Sequence, residues 1–350
     1  MQKTLKDMAK FLKEVIPHEI PKDYSINPMF LKITNEKKIR EGVLAFRNFL
    51  YRICDRLIEE DVLHGKPKKE AHEFMDRTSI NTYFPFLSHI SNLLMNIGFH
   101  GKLNEDKCLL VLNNTQNNLF PANLNNSKKT ECFKFLVNCG INFTGFDFAE
   151  KNQDFSKIKN LEISYPENSA MLIGLKTMAI AQNKLDTSIN QNIFLRCDYT
   201  VIKNEAAEIL SAVKDIITPL PADVQKTFLK LHKHYMDKGL NCFLEIKDFW
   251  FRFIYANKKK EIWFLGVSMN NGYQIVTKTP NSGNYIDEIK NPKLKKMIAK
   301  GFGCGKKKGT TTSCDGGCRG YRITLDDSFV GLSEDIKMWL DKELEYLQKK

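Results

Sequence analysis

Residues 249–279 read FWFRFIYANKKKEIWFLGVSMNNGYQIVTKT, and the hydrophobic period of this run is two. Three stretches rich in aromatic and β-branched residues, 249–255, 261–268 and 273–278, are joined by Asn-Lys-Lys-Lys and by Asn-Asn-Gly, both turn sequences. The spacing predicts an antiparallel meander. Alternation places Phe249, Phe251 and Phe253 on one face and Trp250, Arg252 and Ile254 on the other. Large aromatics on both faces predict a sheet buried by helices on each side. The competing expectation is a platform on which bases stack.

Helical periodicity flanks the meander at 222–238, 284–300 and 333–348, so the C-terminal part, 224–350, is expected to be an α+β domain. Its last helix, SEDIKMWLDKELEYLQKK, opens with Ser333 and two acids and closes on lysines, as the helix macrodipole favours. The stretch TPLPAD at 218–223 carries two prolines that stop the preceding helix, and a linker is expected there.

Upstream, 76–217 is expected to form another α+β domain. The segments FPFLSHISNLLMNIGFHGKL and SKKTECFKFLVNCGINFTGFDF share one plan: amphipathic helix, glycine stop, extended stretch. ADVQKTFLKLHKHYMDKGLNCFLEI repeats it after the linker. Gly98, Gly140 and Gly239 are expected as left-handed helix stops, with Phe99, Ile141 and Leu240 packing back, and Ser127 as an N-cap. The match of Met95-x-x-Gly98-Phe99 with Met236-x-x-Gly239-Leu240 is what a duplication leaves, and also what a common helix-to-strand connection leaves. KNLEISYPENSAMLIGLKTMAIAQNKL reads as a strand, a turn and a helix of small and apolar residues.

Residues 1–75 are expected to be helical, with helices at 3–15 and 36–63. On the longer one Ile39, Val43, Phe46, Leu50, Ile53 and Leu57 form one apolar stripe, while Lys38, Arg40, Arg47, Arg52 and Asp55 read as its solvated face. The expected fold class is therefore α+β: a helical N-terminal region followed by two α+β domains, the second an antiparallel meander flanked by helices.

The chain has 350 residues, 42% of them hydrophobic, ample for two cores. No run approaches the roughly 18 uncharged apolar residues of a membrane span, so no membrane partner is expected. Nine cysteines are too sparse for a disulfide scaffold and cannot all pair, which points to a reducing cytoplasm. The net charge of +12 invites a nucleic-acid reading. Only nine of the 53 basic residues are arginines, however, so the bidentate fork that reads phosphate and guanine is scarce. Nucleotide loops, nucleophile elbows, zincin helices and dinucleotide fingerprints are all absent from the sequence.

Chemistry is concentrated in GFGCGKKKGTTTSCDGGCRG, 301–320. Cys314 and Cys318, with Asp-Gly-Gly between them, have the spacing of a metal knuckle, and Cys304 is a third thiol. Cys242 on the neighbouring strand is the candidate fourth ligand, with His232 or His234 as substitutes. A structural Zn2+ is the cofactor this implies; packed reduced thiols and a redox pair are the alternatives. His232 and His234 sit two apart on a predicted helix, so their rings diverge, and a surface pair is expected. From Lys290 to Lys308 there are eight lysines and no acid, and Arg319, Tyr321 and Arg322 follow on a short strand. Lys306, Lys307, Lys308, Arg319, Tyr321 and Arg322 are thus the candidate contacts to a nucleic-acid partner.

With GFGCG, SCDGGCRGYRITLDDS and the IKMWLDKEL helix in view, the last hundred or so residues resemble the ends of uncharacterised proteins from anaerobic Gram-positive, clostridial-type bacteria. That resemblance implies a bacterial cytoplasmic setting and assigns no reaction, ligand or partner. The expectation is a non-enzymatic protein with a zinc site near its C-terminus and a basic face for nucleic acid. The rival is an enzyme or small-molecule sensor with a pocket between the two α+β domains.

Overall fold

The computed structural model describes residues 4–60, 84–113, 119–120, 124–145, 158–184, 193–205, 208–247, 250–269, 271–279, 284–300 and 320–348. The chain divides into one unit of 1–207 with 247–249 and a second of 208–246 with 250–350.

The first unit opens with α1 (Leu5–Val15), capped reciprocally by Thr4 and Asp7, and α2 (Glu36–Glu59), capped by Asn35. There follow α3 (Pro85–His100), β1 (Lys102–Asn104), β2 (Leu109–Asn113), α4 (Asn126–Asn138), β3 (Asn142–Thr144), β4 (Asn160–Ser164), α5 (Ala170–Lys184) and the short α6 (Ile193–Arg196). The four strands form an antiparallel sheet in the order β1-β2-β4-β3. The stripe anticipated on α2 is the core face: Ile39, Val43, Phe46, Leu50, Ile53 and Leu57 are all buried.

Helix α5, read as small and apolar, is what lets the helices approach closely. A Cβ on Gly42 of α2 would lie 2.7 Å from the Gly174 nitrogen, and one on Gly174 would lie 2.0 Å from the Gly42 carbonyl oxygen. On α3, a Cβ at Gly98 would lie 2.6 Å from the Leu175 oxygen and 2.7 Å from the Ala179 methyl. Gly98 is therefore a packing residue inside a continuous helix, and the expected stop there does not occur. Gly140 (φ +96°) and Gly239 (φ +80°) do act as left-handed stops. At each the next residue closes the helix: Ile141 N donates to Leu136 O and Leu240 N to Tyr235 O, both at 3.0 Å. The parallel between Met95-x-x-Gly98 and Met236-x-x-Gly239 is thus one of sequence, with the two glycines in different structural roles.

The second unit comprises α7 (Ile209–Ile217), α8 (Ala222–Asp237), β5 (Asn241–Lys247), β6 (Trp250–Asn257), β7 (Lys260–Ser268), β8 (Gly272–Lys278), α9 (Pro292–Lys300), β9 (Gly320–Thr324) and α10 (Asp327–Gln348). Its sheet has the order β5-β6-β7-β8-β9, with the expected meander at its centre. Antiparallel register aligns Phe253 with Leu265, Leu265 with Ile275, and Ile275 with Ile323.

Helix α8 covers one face, setting Phe228 and Tyr235 edge-on to Trp263, on which the Tyr255 ring stacks at 3.6 Å. On the other face the Arg252 guanidinium lies over Phe264 at 4.2 Å and Trp250 at 5.0 Å. Glu245 and Glu261 hold it there at 2.5 and 2.7 Å. This closes the Phe264 ring to a stacking base.

Two termini differ from expectation because better caps lie nearby. Asn125, not Ser127, accepts the Lys128 N–H at the start of α4. Asp326 accepts N–H groups of Ser328 and Phe329, so α10 begins six residues before Ser333. The proline-rich stretch 218–223 is a tight α7–α8 turn within the second unit, pinned by the Gln225 amide on the Thr218 and Leu220 carbonyls. The architecture is α+β, with two separate antiparallel sheets. Among the described residues no helix is long and apolar enough to cross a membrane.

Candidate functional site

Of the residues singled out in the sequence, Cys304, Cys314, Cys318, Lys306, Lys307, Lys308 and Arg319 lie outside the described residues. Tyr321 and Arg322 are on β9, their backbones opposite Thr277 and Val276. Cys242 stands on β5, half-buried, and its thiol shares the Tyr255 hydroxyl with His232, whose Nδ1 lies 2.7 Å from that oxygen. Burial pushes the Cys242 thiol up to about 11, against the pull of the Tyr255 hydroxyl.

His232 is 4% exposed, which corrects the expected surface pair: its ring is drawn under the sheet by Tyr255, and burial lowers its pKa. His234 turns the other way, as a two-residue helical step requires. Its Nε2 is 3.1 Å from both Asp341 oxygens, and Lys238 adds a 2.8 Å contact to the same carboxylate. Among the described residues no group of three or more His, Cys, Asp or Glu side chains is placed to hold a metal ion.

A concave polar site does occur inside the first unit. Its floor is one face of α2, on which Ala45, Asn48, Phe49, Arg52, Asp55, Arg56 and Glu59 recur at helical steps. Asn138 at the end of α4 forms one wall; Tyr165, Glu167 and Asn168, from the turn between β4 and α5, form the other. The cavity is about 550 Å³, within the range of small-molecule sites.

Arg52 is its central cation. Its guanidinium donates to the Tyr165 hydroxyl at 2.8 Å and to the Glu167 carboxylate. The Glu167 and Tyr165 hydrogen bonds hold the Arg52 pKa above its ordinary value, and burial raises that of Tyr165. The other charges are paired along the floor: Asp55 with Lys13 at 2.5 Å, and Arg56 with Glu60 at 2.5 Å and Glu59 at 3.4 Å.

The local sequence builds this arrangement. Phe49 on α2 meets the Tyr165 ring edge-on at 5.2 Å, which fixes the hydroxyl over Arg52. Gly140, the left-handed stop of α4, admits both groups. A Cβ there would come within 3.2 Å of the Tyr165 ring and 3.3 Å of the Arg52 guanidinium. Pro166 follows Tyr165 and turns Glu167 to the rim.

Reading the charged face of α2 as solvated missed this site. Arg40 and Arg47 instead tie down the incoming chain by donating to the Tyr24 and Pro17 carbonyls, and Arg52 and Asp55 line the cavity. The available signal was four of the nine arginines falling on one helix. No family model, curated protein or solved structure matches the chain.

Proposed function

We propose that this protein binds a small polar molecule in the Arg52 cleft of its first unit. What supports the reading is the convergence of Arg52, Tyr165 and Glu167, from two separate elements, in a cavity of about 550 Å³. Asn48, Asn138 and Asn168 add amides that both donate and accept.

In a thermal-shift screen of small polar metabolites on the full chain, one class is expected to raise the melting temperature. A ligand at a hundred times its Kd adds about 2.7 kcal/mol to stability. Tyr165→Phe, which removes the hydroxyl that holds Arg52, is expected to weaken that ligand roughly tenfold. Undiminished affinity in this variant would place the site elsewhere.

A second reading concerns the second unit. From residue 208 to the end, 25 basic residues face 17 acidic ones, so this part carries eight of the twelve net positive charges. Helix α9 turns Lys293 and Lys296 outward and buries Leu294 and Ile298. On this reading the segment 301–319 is held by a zinc ion on Cys304, Cys314 and Cys318 with Cys242, and the lysines meet phosphate. Elemental analysis is expected to find about one zinc per chain, lost in Cys314→Ser. Metal-free wild-type protein would end that reading.

A further inference from the structure

We propose that the ligand of the Arg52 cleft is a small carboxylic acid, and that Glu167 is an internal stand-in for its carboxylate which the ligand displaces. This rests on the cleft being a binding site.

The present occupant of the guanidinium is itself informative. Arg52 is held from one side by Tyr165, a 5% exposed residue fixed by Phe49 and admitted by Gly140. Its remaining partner is a carboxylate reaching in from the rim, and that side chain is 62% exposed. Glu167 Oε2 also accepts from the Tyr165 hydroxyl at 3.4 Å, so this one oxygen lies where an oxygen of a free carboxylate would meet both donors. Exposed ion pairs hold weakly, so a ligand can take the place of Glu167 while the donors remain preorganised.

The rest of the lining selects against a phosphate dianion. Along α2, Asp55 and Glu59 stand roughly 4.5 and 10.5 Å beyond Arg52 at 1.5 Å per residue. Counting Arg52, Arg56, Asp55, Glu59 and Glu167, the lining carries one more negative than positive charge. With Glu167 displaced the lining is neutral, which suits a monocarboxylate or a zwitterion and repels a second negative charge close to the first. The Asn48 and Asn168 oxygens already accept from Arg47 and from the Ala170 N–H, so these two residues offer the ligand their NH2 groups as donors.

The test is calorimetric titration of the full chain with acetate, succinate, L-glutamine and inorganic phosphate at one ionic strength, using wild type, Glu167→Ala, Arg52→Gln and Arg52→Lys. At least one carboxylate is expected to bind wild type. Glu167→Ala should tighten it by roughly two- to six-fold, the population freed by breaking an exposed ion pair. Arg52→Gln should weaken it more than about tenfold and Arg52→Lys less, because lysine keeps the charge but loses the fork. All four proteins should melt alike, since Arg52 and Glu167 are substantially exposed.

Unchanged or weaker binding in Glu167→Ala, with binding still lost in Arg52→Gln, would overturn the stand-in role and leave the binding site standing. Binding of phosphate alone, or of a metabolite without a carboxylate, would overturn the ligand class. A cleft that binds nothing in the wider screen would remove the underlying reading as well.

Discussion

Gly174→Ala is expected to destabilise the first unit by about 3 kcal/mol, although the same change in an isolated helix gains about 1 kcal/mol from helix propensity. The new methyl would lie 2.0 Å from the Gly42 carbonyl oxygen, 2.4 Å from its carbon and 2.7 Å from the Phe46 Cβ. Two of those three atoms are backbone, so no rotamer change relieves the overlap, and α2 and α5 must separate along a buried seam. Separation also opens voids around Phe46 and Leu172, both fully buried now. The control is Gly331→Ala on α10, where an added Cβ has nothing within 4 Å. That variant should gain stability by about 0.5–1 kcal/mol. Urea unfolding followed by circular dichroism reads both, and Gly174→Ala as stable as wild type would refute the close approach.

Trp263→Ala is expected to cost the second unit about 3–5 kcal/mol. Trp263 is fully buried and is the residue on which three others converge: Tyr255 stacked at 3.6 Å, and Phe228 and Tyr235 edge-on at 6.1 and 5.6 Å. Its loss leaves a cavity between α8 and the sheet that these rigid rings cannot collapse into. It also removes the platform that holds the Tyr255 hydroxyl between His232 and Cys242. All three tryptophans, 250, 263 and 339, lie in the second unit, so tryptophan fluorescence follows that unit alone. Trp250→Ala, at a half-buried position on the other face, should cost far less. Equal losses in the two variants would sink the assignment of Trp263 as the centre of this core.

Much of the fold was readable because its signals are local. The meander strands lie within two residues of their expected bounds, since aromatic alternation and Asn-containing turns act over a few residues. The Gly140 and Gly239 stops also came out as read: a left-handed residue after an amphipathic helix needs no information from elsewhere. Gly98 failed because a glycine before a turn and a glycine against another helix look the same in one dimension. His232 failed for a related reason: a two-residue helical step says that the two rings diverge but not which of them is buried, and Tyr255, 23 residues away, supplied the buried partner.

The candidate site was the least legible part. Its three central groups come from positions 52, 165 and 167, and the glycine that admits them is at 140. Nothing in the spacing of these residues marks a motif, because Arg52, Gly140 and the Tyr165–Glu167 turn are delivered by three separate parts of the chain.

From the order of residues one obtains the kind of protein: an α+β chain with a β meander near its end, helices stopped by glycine at Gly140 and Gly239 but also, wrongly, at Gly98, and a basic C-terminal part. Those properties follow from periodicity, turn chemistry and charge, which act between near neighbours. Which glycine serves packing and which arginine faces a cavity were settled only when α2, α3, α5 and the β4–α5 turn came together, and which histidine is buried only when α8 packed on the second sheet. Contacts between residues a hundred positions apart depend on the whole packed arrangement, and no local pattern encodes them.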